Sequence, residues 1–283
     1  MQDIELLVAT SNHVLLVRND GSQKIMHEGL GTYAGITWSD KHIYIAYRDE
    51  GGKCVPSDKE GILVLDKKWN EVRRYAKPDY DFNDLHQIYY HDSRLFVANT
   101  AMDKIDLINT ESHTMEKELP CPLGEKKTHH LNSVFFGEGH YWICMHNRGE
   151  SDVIKLRPGS FEEVDRIRIG NQIHNAYVEN GRLYTLSSLN SSVLSTDIHK
   201  HKRVKRVKKL NTSMWLRGLA RTESNWIIGM TTFEAERSKR VGAPSYIIIF
   251  NDSFRKKKIV DTTVSGLIYD LRATAGDRAH NSL

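Results

Sequence analysis

The sequence predicts an all-β fold, a six-bladed β-propeller forming a single domain over residues 1–283. A unit of one apolar strand, a turn, a second strand and two strands with polar outer faces recurs every 42 to 52 residues or so, the spacing of four-stranded blades. Inside each unit apolar and polar residues alternate at period two, β-branched and aromatic residues are frequent, and Gly, Asn, Asp and Ser mark the turns. The two chain ends hold incomplete units that add up to one more blade, so that N-terminal strands pairing with a C-terminal strand close the ring and leave no open sheet edge.

Taken in order, "IELLVATS", "HVLLVRN" and "SQKIMHEG" supply three strands of the shared blade. "YAGITWSDKHIYIAYRD" and "GILVLDK" open the second blade, and "LHQIYYHDSRLFVANT" with "KIDLINTES" the third. "LNSVFFGEGHYWICMHN", "SDVIKL" and "EEVDRIRIG" form the fourth, and "IHNAYVENGRLYTLSSL", "SVLSTDI" and "RVKRVKKL" the fifth. "LRGLARTESNWIIGMTTF" and "SYIIIFNDS" belong to the sixth, and "GLIYDLRAT" returns to the first. Helical 3.6-residue stripes are missing throughout.

Composition narrows the class further. With 39% hydrophobic and 27% charged residues the chain reads as globular, and no apolar run nears the ~20 residues of a membrane span. The N-terminus lacks a basic start followed by an apolar segment, so a cytoplasmic location is expected. Cys54, Cys121 and Cys144 show no CxxC spacing and read as free thiols. Serine-hydrolase elbows, HExxH, phosphate loops and dinucleotide fingerprints are absent.

In a propeller the first strand of each blade lines the axis. Aligning the repeats on their apolar residues places Ala34, His86, Asn132, His174, Arg217 and Tyr269 at one equivalent position, followed by Gly35, Gln87, Ser133, Asn175, Gly218 and Asp270. Two residues below the first set the wall is apolar: Ile36, Ile88, Val134, Ala176, Leu219 and Leu271. A polar mouth above an apolar bore follows. Loops on the same face carry Arg48, Asn99, His146, Arg148, Ser188 and Glu234, and the two long insertions, "DEGGKCVPSDKEG" and "EAERSKRVGAPS", fall there too. His129 and His130, in a loop, are expected to be solvated.

These residues suggest His86, His174 and Arg217 as catalytic groups, because imidazole titrates near working pH and guanidinium stabilises a developing anion. Arg48, Asn99, His146, Arg148, Asn175 and Glu234 are candidates for holding a polar, anionic substrate. His86, Asn132, His174 and Asp270 are candidate ligands of a divalent metal (Mn, Fe or Zn for imidazole-rich sets, Ca for oxygen-only sets). A structural role for His86, bonded to a neighbouring blade, stands beside these readings.

On its blade pattern, with "HDSRLFVANTAMDKIDLIN" the nearest match, the chain resembles the NHL-type and gluconolactonase-like six-bladed propellers. That resemblance implies a divalent ion held at the channel mouth by one Glu, two Asn and an Asp, with Asn132, Asn175 and Asp270 at comparable positions and "FND" at 82–84 resembling an Asn-bearing loop. At the family's glutamate position this chain has "TYAGITW", which offers no carboxylate. The expected function is small-molecule binding at the mouth, as a metal-dependent hydrolase, lyase or isomerase acting on a sugar-acid or lactone-like substrate. The alternative is a non-catalytic interaction propeller. "HKHKRVKRVKKL" and "FRKKKIVD" would form one basic rim on neighbouring outer strands, suited either to edge protection or to an acidic macromolecular partner. With no aromatics interleaved in these runs, nucleic acid is not the expected partner.

Overall fold

The computed structural model describes residues 4–49, 59–120, 129–201, 203–210 and 213–274. Its strands form six four-stranded antiparallel sheets. Blade 1 joins β1 (Glu5–Thr10), β2 (His13–Arg18) and β3 (Gln23–Glu28) to the last strand of the chain; blade 2 holds β4 (Thr32–Trp38), β5 (His42–Arg48), β6 (Gly61–Asp66) and β7 (Glu71–Ala76). Blade 3 holds β8 (Leu85–His91), β9 (Arg94–Asn99), β10 (Lys104–Asn109) and β11 (Thr114–Pro120), and blade 4 β12 (Leu131–Gly137), β13 (His140–Met145), β14 (Glu150–Leu156) and β15 (Glu163–Asn171). Blade 5 comprises β16 (Ile173–Glu179), β17 (Arg182–Ser187), β18 (Ser192–Asp197) and β19 (Lys205–Lys209); blade 6 comprises β20 (Met214–Arg221), β21 (Asn225–Thr232), β22 (Ser245–Asn251) and β23 (Lys256–Asp261). The final strand β24 (Ile268–Ala273) pairs antiparallel with β1, Leu6 opposite Ala273, and closes the ring as the terminal patterns predicted. No helix among the described residues is long and apolar enough to cross a membrane.

The core lies between blades, where apolar faces of adjacent sheets meet. Trp142, Trp226, Tyr33, Tyr44 and Phe96 are among its largest fully buried side chains, each ring removing an area worth about 2–3 kcal/mol from water. Outer strands β3, β7 and β19 are mostly exposed and polar, as edge strands should be.

Every inner strand carries a bulge at the same height. Pairing skips Ala34 in β4, His86 and Gln87 in β8, Asn132 in β12, Asn175 in β16, Gly218 in β20 and Tyr269 in β24. A bulge interrupts the two-residue alternation and re-aims side chains, so consecutive residues can serve the mouth and the blade interface. It also brings backbones close together. A Cβ on Gly35 would sit 2.7 Å from the Ile88 amide nitrogen and 2.9 Å from the Gln87 Cα. Gly35→Ala should therefore cost about 2 kcal/mol through overpacking that no rotamer can relieve. Chemical denaturation should show it as a lower midpoint at unchanged slope; an unaltered midpoint would contradict this account of the bulge ring.

Candidate functional site

The six equivalent positions converge. Ala34, His86, Asn132, His174, Arg217 and Tyr269, with Gln87 and Asn175, line one cavity of about 10 Å³ on the axis, room for about one water. In β8, β12, β16 and β24 the bulged residue or the one after it staples neighbouring blades. Gln87 accepts from the Val134 amide (3.1 Å) and donates to Asp270 Oδ1 (3.1 Å), while Asp270 Oδ2 accepts from the Ile36 amide (3.3 Å). Asn175 Oδ1 accepts from the Gly218 amide at 2.9 Å. Such side chains recover hydrogen bonds that the bulges remove from the ladder.

Two histidines are held by matching devices. His86 Nδ1 lies 2.9 Å from the Asp84 carbonyl and 2.9 Å from Thr100 Oγ1, whose hydroxyl donates to the Leu131 carbonyl at 2.5 Å. His174 Nδ1 lies 2.7 Å from Ser188 Oγ, which donates to the Leu216 carbonyl at 2.7 Å. Because each hydroxyl spends its proton on the next blade's carbonyl, it accepts from the ring, which at His174 places the imidazole proton on Nδ1 and a lone pair on Nε2; at His86 the Asp84 carbonyl and Thr100 favour the same tautomer against the donor-only Arg48 Nη1, 3.3 Å from Nδ1. His174 Nε2 has no protein partner. His146 is the opposite tautomer, since its Nδ1 accepts the Arg148 amide at 3.1 Å.

His130 corrects the expectation of a solvated loop residue. Its left-handed backbone (φ 51°) turns the ring between His86 and His146, with centroids 4.8 Å from each. The chain of rings continues from His146 to His174 (5.1 Å) and from His174 to Trp215 (6.0 Å), which stacks on Phe233 at 4.8 Å. Burial, reinforced by nearby arginines and imidazoles, holds His86 and His174 well below the ordinary histidine value and lowers His130 to about 4 and His146 to about 2. All four are neutral at pH 7 and serve as hydrogen-bond donors or acceptors, while the same depression makes them weak bases.

This has a consequence for stability. The unfolded chain takes up a proton at His130 near pH 6.5 and the folded one only near 4, so stability is intact above pH 6.5 and is lost as pH falls through that window. In His130→Gln the fall should be shallower by up to one proton, about 1.4 kcal/mol per pH unit. Denaturant midpoints from pH 7 to 4 measure the difference, and parallel curves for variant and parent would refute it.

Arg217 is the unusual charge. It is 7% exposed, lies over the Trp215 ring (5.6 Å) and the Tyr269 ring (5.0 Å), and makes no ion pair with a carboxylate among the described residues. Its Nε has no hydrogen-bond partner. Burial together with Arg240 and Arg48 disfavours its charge. Arg48 is also buried but is satisfied, forming a close ion pair with Asp84 and donating to the Leu85 carbonyl at 3.0 Å. Tyr269 lies beneath both guanidiniums. Burial alone would raise its phenol, yet Arg48 and Arg217 outweigh it and pull Tyr269 below the ordinary tyrosine value.

The remaining candidates divide. Arg148 is exposed and lines a wide groove beside the mouth together with His146 and Arg240. Arg240, which the sequence reading missed, comes from the sixth-blade insertion, where a 3-10 turn (Arg237–Gly242) is tied down as the Arg240 carbonyl accepts from the Leu267 amide at 3.0 Å. Glu234 contributes its carbonyl, which accepts from Arg240 Nε at 3.0 Å. Asn99 is fully buried and spent on structure, donating to the Asp81 carbonyl and Asp106 and accepting from the Asn83 amide. Residues 50–58 of the second-blade insertion, Cys54 and Cys121 lie outside the described residues; Cys144 is a buried free thiol.

The donors expected to share a metal do not form a ligand set. Among the described residues no group of three or more His, Cys, Asp or Glu is gathered as a metal would require. Asp270 spends both oxygens on Gln87 and the Ile36 amide and lies 3.5 Å from Arg272 Nη2. Asn132 donates to the Ile173 carbonyl, although its Oδ1 is unpartnered. With the Arg217 guanidinium in the same lining, the electrostatics suit an anion, not a divalent cation.

No protein-family model matches the chain, and no curated protein matches it. Solved structures do. A chain of the nidogen/laminin complex superposes over 97% of this chain and 99% of its own at a TM-score of 0.70 and 10% identity. The likeness is one of fold. A candidate 6-phosphogluconolactonase from Bacteroides fragilis gives a TM-score of 0.59 at 9% identity, covering 96% of this chain and 98% of that one. Virginiamycin B lyase from Staphylococcus aureus gives 0.53 at 13%, covering 82% and 69%. The six-bladed propeller is thereby supported from outside the chain, while its neighbours include proteins described as enzymes and one solved as part of a protein complex.

Proposed function

We propose that the groove bordering the channel mouth binds a small polar anion of the sugar-acid or lactone kind, its carboxylate or phosphate between Arg240 and Arg148 with Arg217 behind them, since the axial cavity itself has room for about one water. The observation that carries this reading is Arg217, a buried guanidinium with no carboxylate in ion-pair contact among the described residues: such a charge is costly until a closer counter-charge arrives. Around it, His86 and His174 offer Nε2 lone pairs and His146 a proton, while Tyr269 sits under two guanidiniums. A bound anion would offset the neighbouring arginines and raise the imidazoles toward the range in which they pass a proton, the common step of hydrolases, lyases and isomerases. The lactonase- and lyase-named neighbours agree with such chemistry; substrate identity rests on the chain's own residues.

Small anions should raise the melting temperature. At a hundredfold excess over Kd the gain is about 2.7 kcal/mol, so a panel of aldonic acids, lactones, phosphosugars and inorganic phosphate should contain members that stabilise the protein by several degrees. A panel without effect would remove the reading. It would leave the second one, an interaction propeller, which the exposed lysines of β19 and β23 favour and which the nidogen/laminin neighbour exemplifies. In that case binding would be to an acidic macromolecule and salt-sensitive.

A further inference from the structure

From the mouth a groove of about 1120 Å³ runs outward over blade 5. Its lining begins at Trp215, Phe233, Arg148 and Arg240, passes the β17–β18 turn, and ends at Arg206 and Lys209 on the outer strand. No aspartate or glutamate is among the lining residues described. Four strands at ~4.8 Å spacing make this path about 14 Å long, and a single sugar ring spans less than half of it. A monoanion seated between Arg148 and Arg240 would therefore leave Arg206 and Lys209 without a partner.

The walls specify the kind of chain that fits. Asn190 presents an exposed polar side chain, the buried Ser188, Ser191 and Ser192 keep their hydroxyls on protein carbonyls, and Leu189 and Val204 stay exposed (56% and 41%) among them. Phe233, stacked on Trp215, offers a ring face that is 47% exposed. A pyranose matches that mixture, with hydroxyls at its edge and an apolar C–H face for an aromatic shelf. Single-stranded nucleic acid stacks a ring under successive bases, and this groove holds one stacked pair at one end only. Guanidinium forks at both ends pair bidentately with carboxylates.

We infer that the groove is a subsite for an acidic oligosaccharide, a chain of uronate-type sugars whose terminal acid reaches the mouth and whose outer carboxylates meet Arg206 and Lys209. This rests on the anion-binding reading of the mouth and extends it to a polymeric ligand class. Calorimetric titration of the intact protein with galacturonic acid and its dimer, trimer and tetramer tests it, beside neutral oligosaccharides, oligo-dT and a poly-glutamate peptide.

Affinity should rise with uronate length up to about the trimer, by roughly tenfold over the monomer, the worth of one charge-assisted bond. In Arg206→Ser/Lys209→Ser that gain should vanish while monomer affinity is retained, and Phe233→Ala should weaken the oligomers more than the monomer. Equal affinity for monomer and trimer would overturn the groove assignment and leave the mouth reading intact; absence of any monomer binding, with other small anions also inert, would overturn the mouth reading itself. Tighter binding of oligo-dT or poly-glutamate than of the uronate trimer would also overturn the assignment.

Discussion

Arg217→Met should make the ligand-free protein more stable and at the same time remove its anion binding. The guanidinium makes no ion pair among the described residues and feels Asp84 only at a distance, so an apolar side chain of similar length relieves a desolvation cost; replacing buried charges in this way commonly gains 1–4 kcal/mol. Its contacts over Trp215 and Tyr269, worth about 0.5–2 kcal/mol in such settings, are lost in return. A net gain of about 1 kcal/mol is expected, seen calorimetrically as a melting temperature raised by about 2–4 °C. Loss of a charged partner from a buried ligand contact costs about 2–5 kcal/mol, which weakens the anion by about thirtyfold or more. Stability falling with affinity unchanged would show that Arg217 serves packing, and the case for a site at the mouth would go with it.

Asp84→Asn should be the most damaging substitution near the mouth. Arg48 and Asp84 are each 4% exposed, and removing the carboxylate leaves the guanidinium buried and uncompensated, at a cost of about 3–5 kcal/mol. Asn suits the left-handed backbone at this position (φ 55°), so the loss isolates charge from strain. Glu60, raised by burial but favoured toward ionisation by Arg48, will recover part of it. A melting temperature lower by about 6–12 °C is expected, and the double variant Arg48→Met/Asp84→Asn should recover most of the difference. A single variant as stable as the parent would mean that Arg48 is not in fact desolvated.

The blade pattern was legible because a buried inner strand and a polar outer strand leave different residue alternations, which repeat. The mouth was legible for the same reason: apolar residues such as Ile88 and Val134 fix the register, and the register places His86 level with Asn132. What the pattern concealed is the bulge ring. An extra residue leaves no periodic trace, so Asp270 and Asn175 looked like ligand donors when they are blade staples. His130 was hidden by its neighbourhood in sequence, since its half-buried place comes from a left-handed turn and from rings on blades 3 and 4. The groove's aromatic shelf is assembled from outside its basic wall: the run 199–210 contains no aromatic, and Trp215 and Phe233 reach it from blade 6.

The strand that shuts the ring also carries Tyr269 and Asp270. On the ribosome, then, the pocket exists in no partial form: blades 2 to 6 emerge with five of the six mouth positions, but the arginines' shared tyrosine face arrives only with the closing segment. A chain lacking that segment is left both unlatched and short of one rim position, so that shutting the ring and finishing the rim are one step.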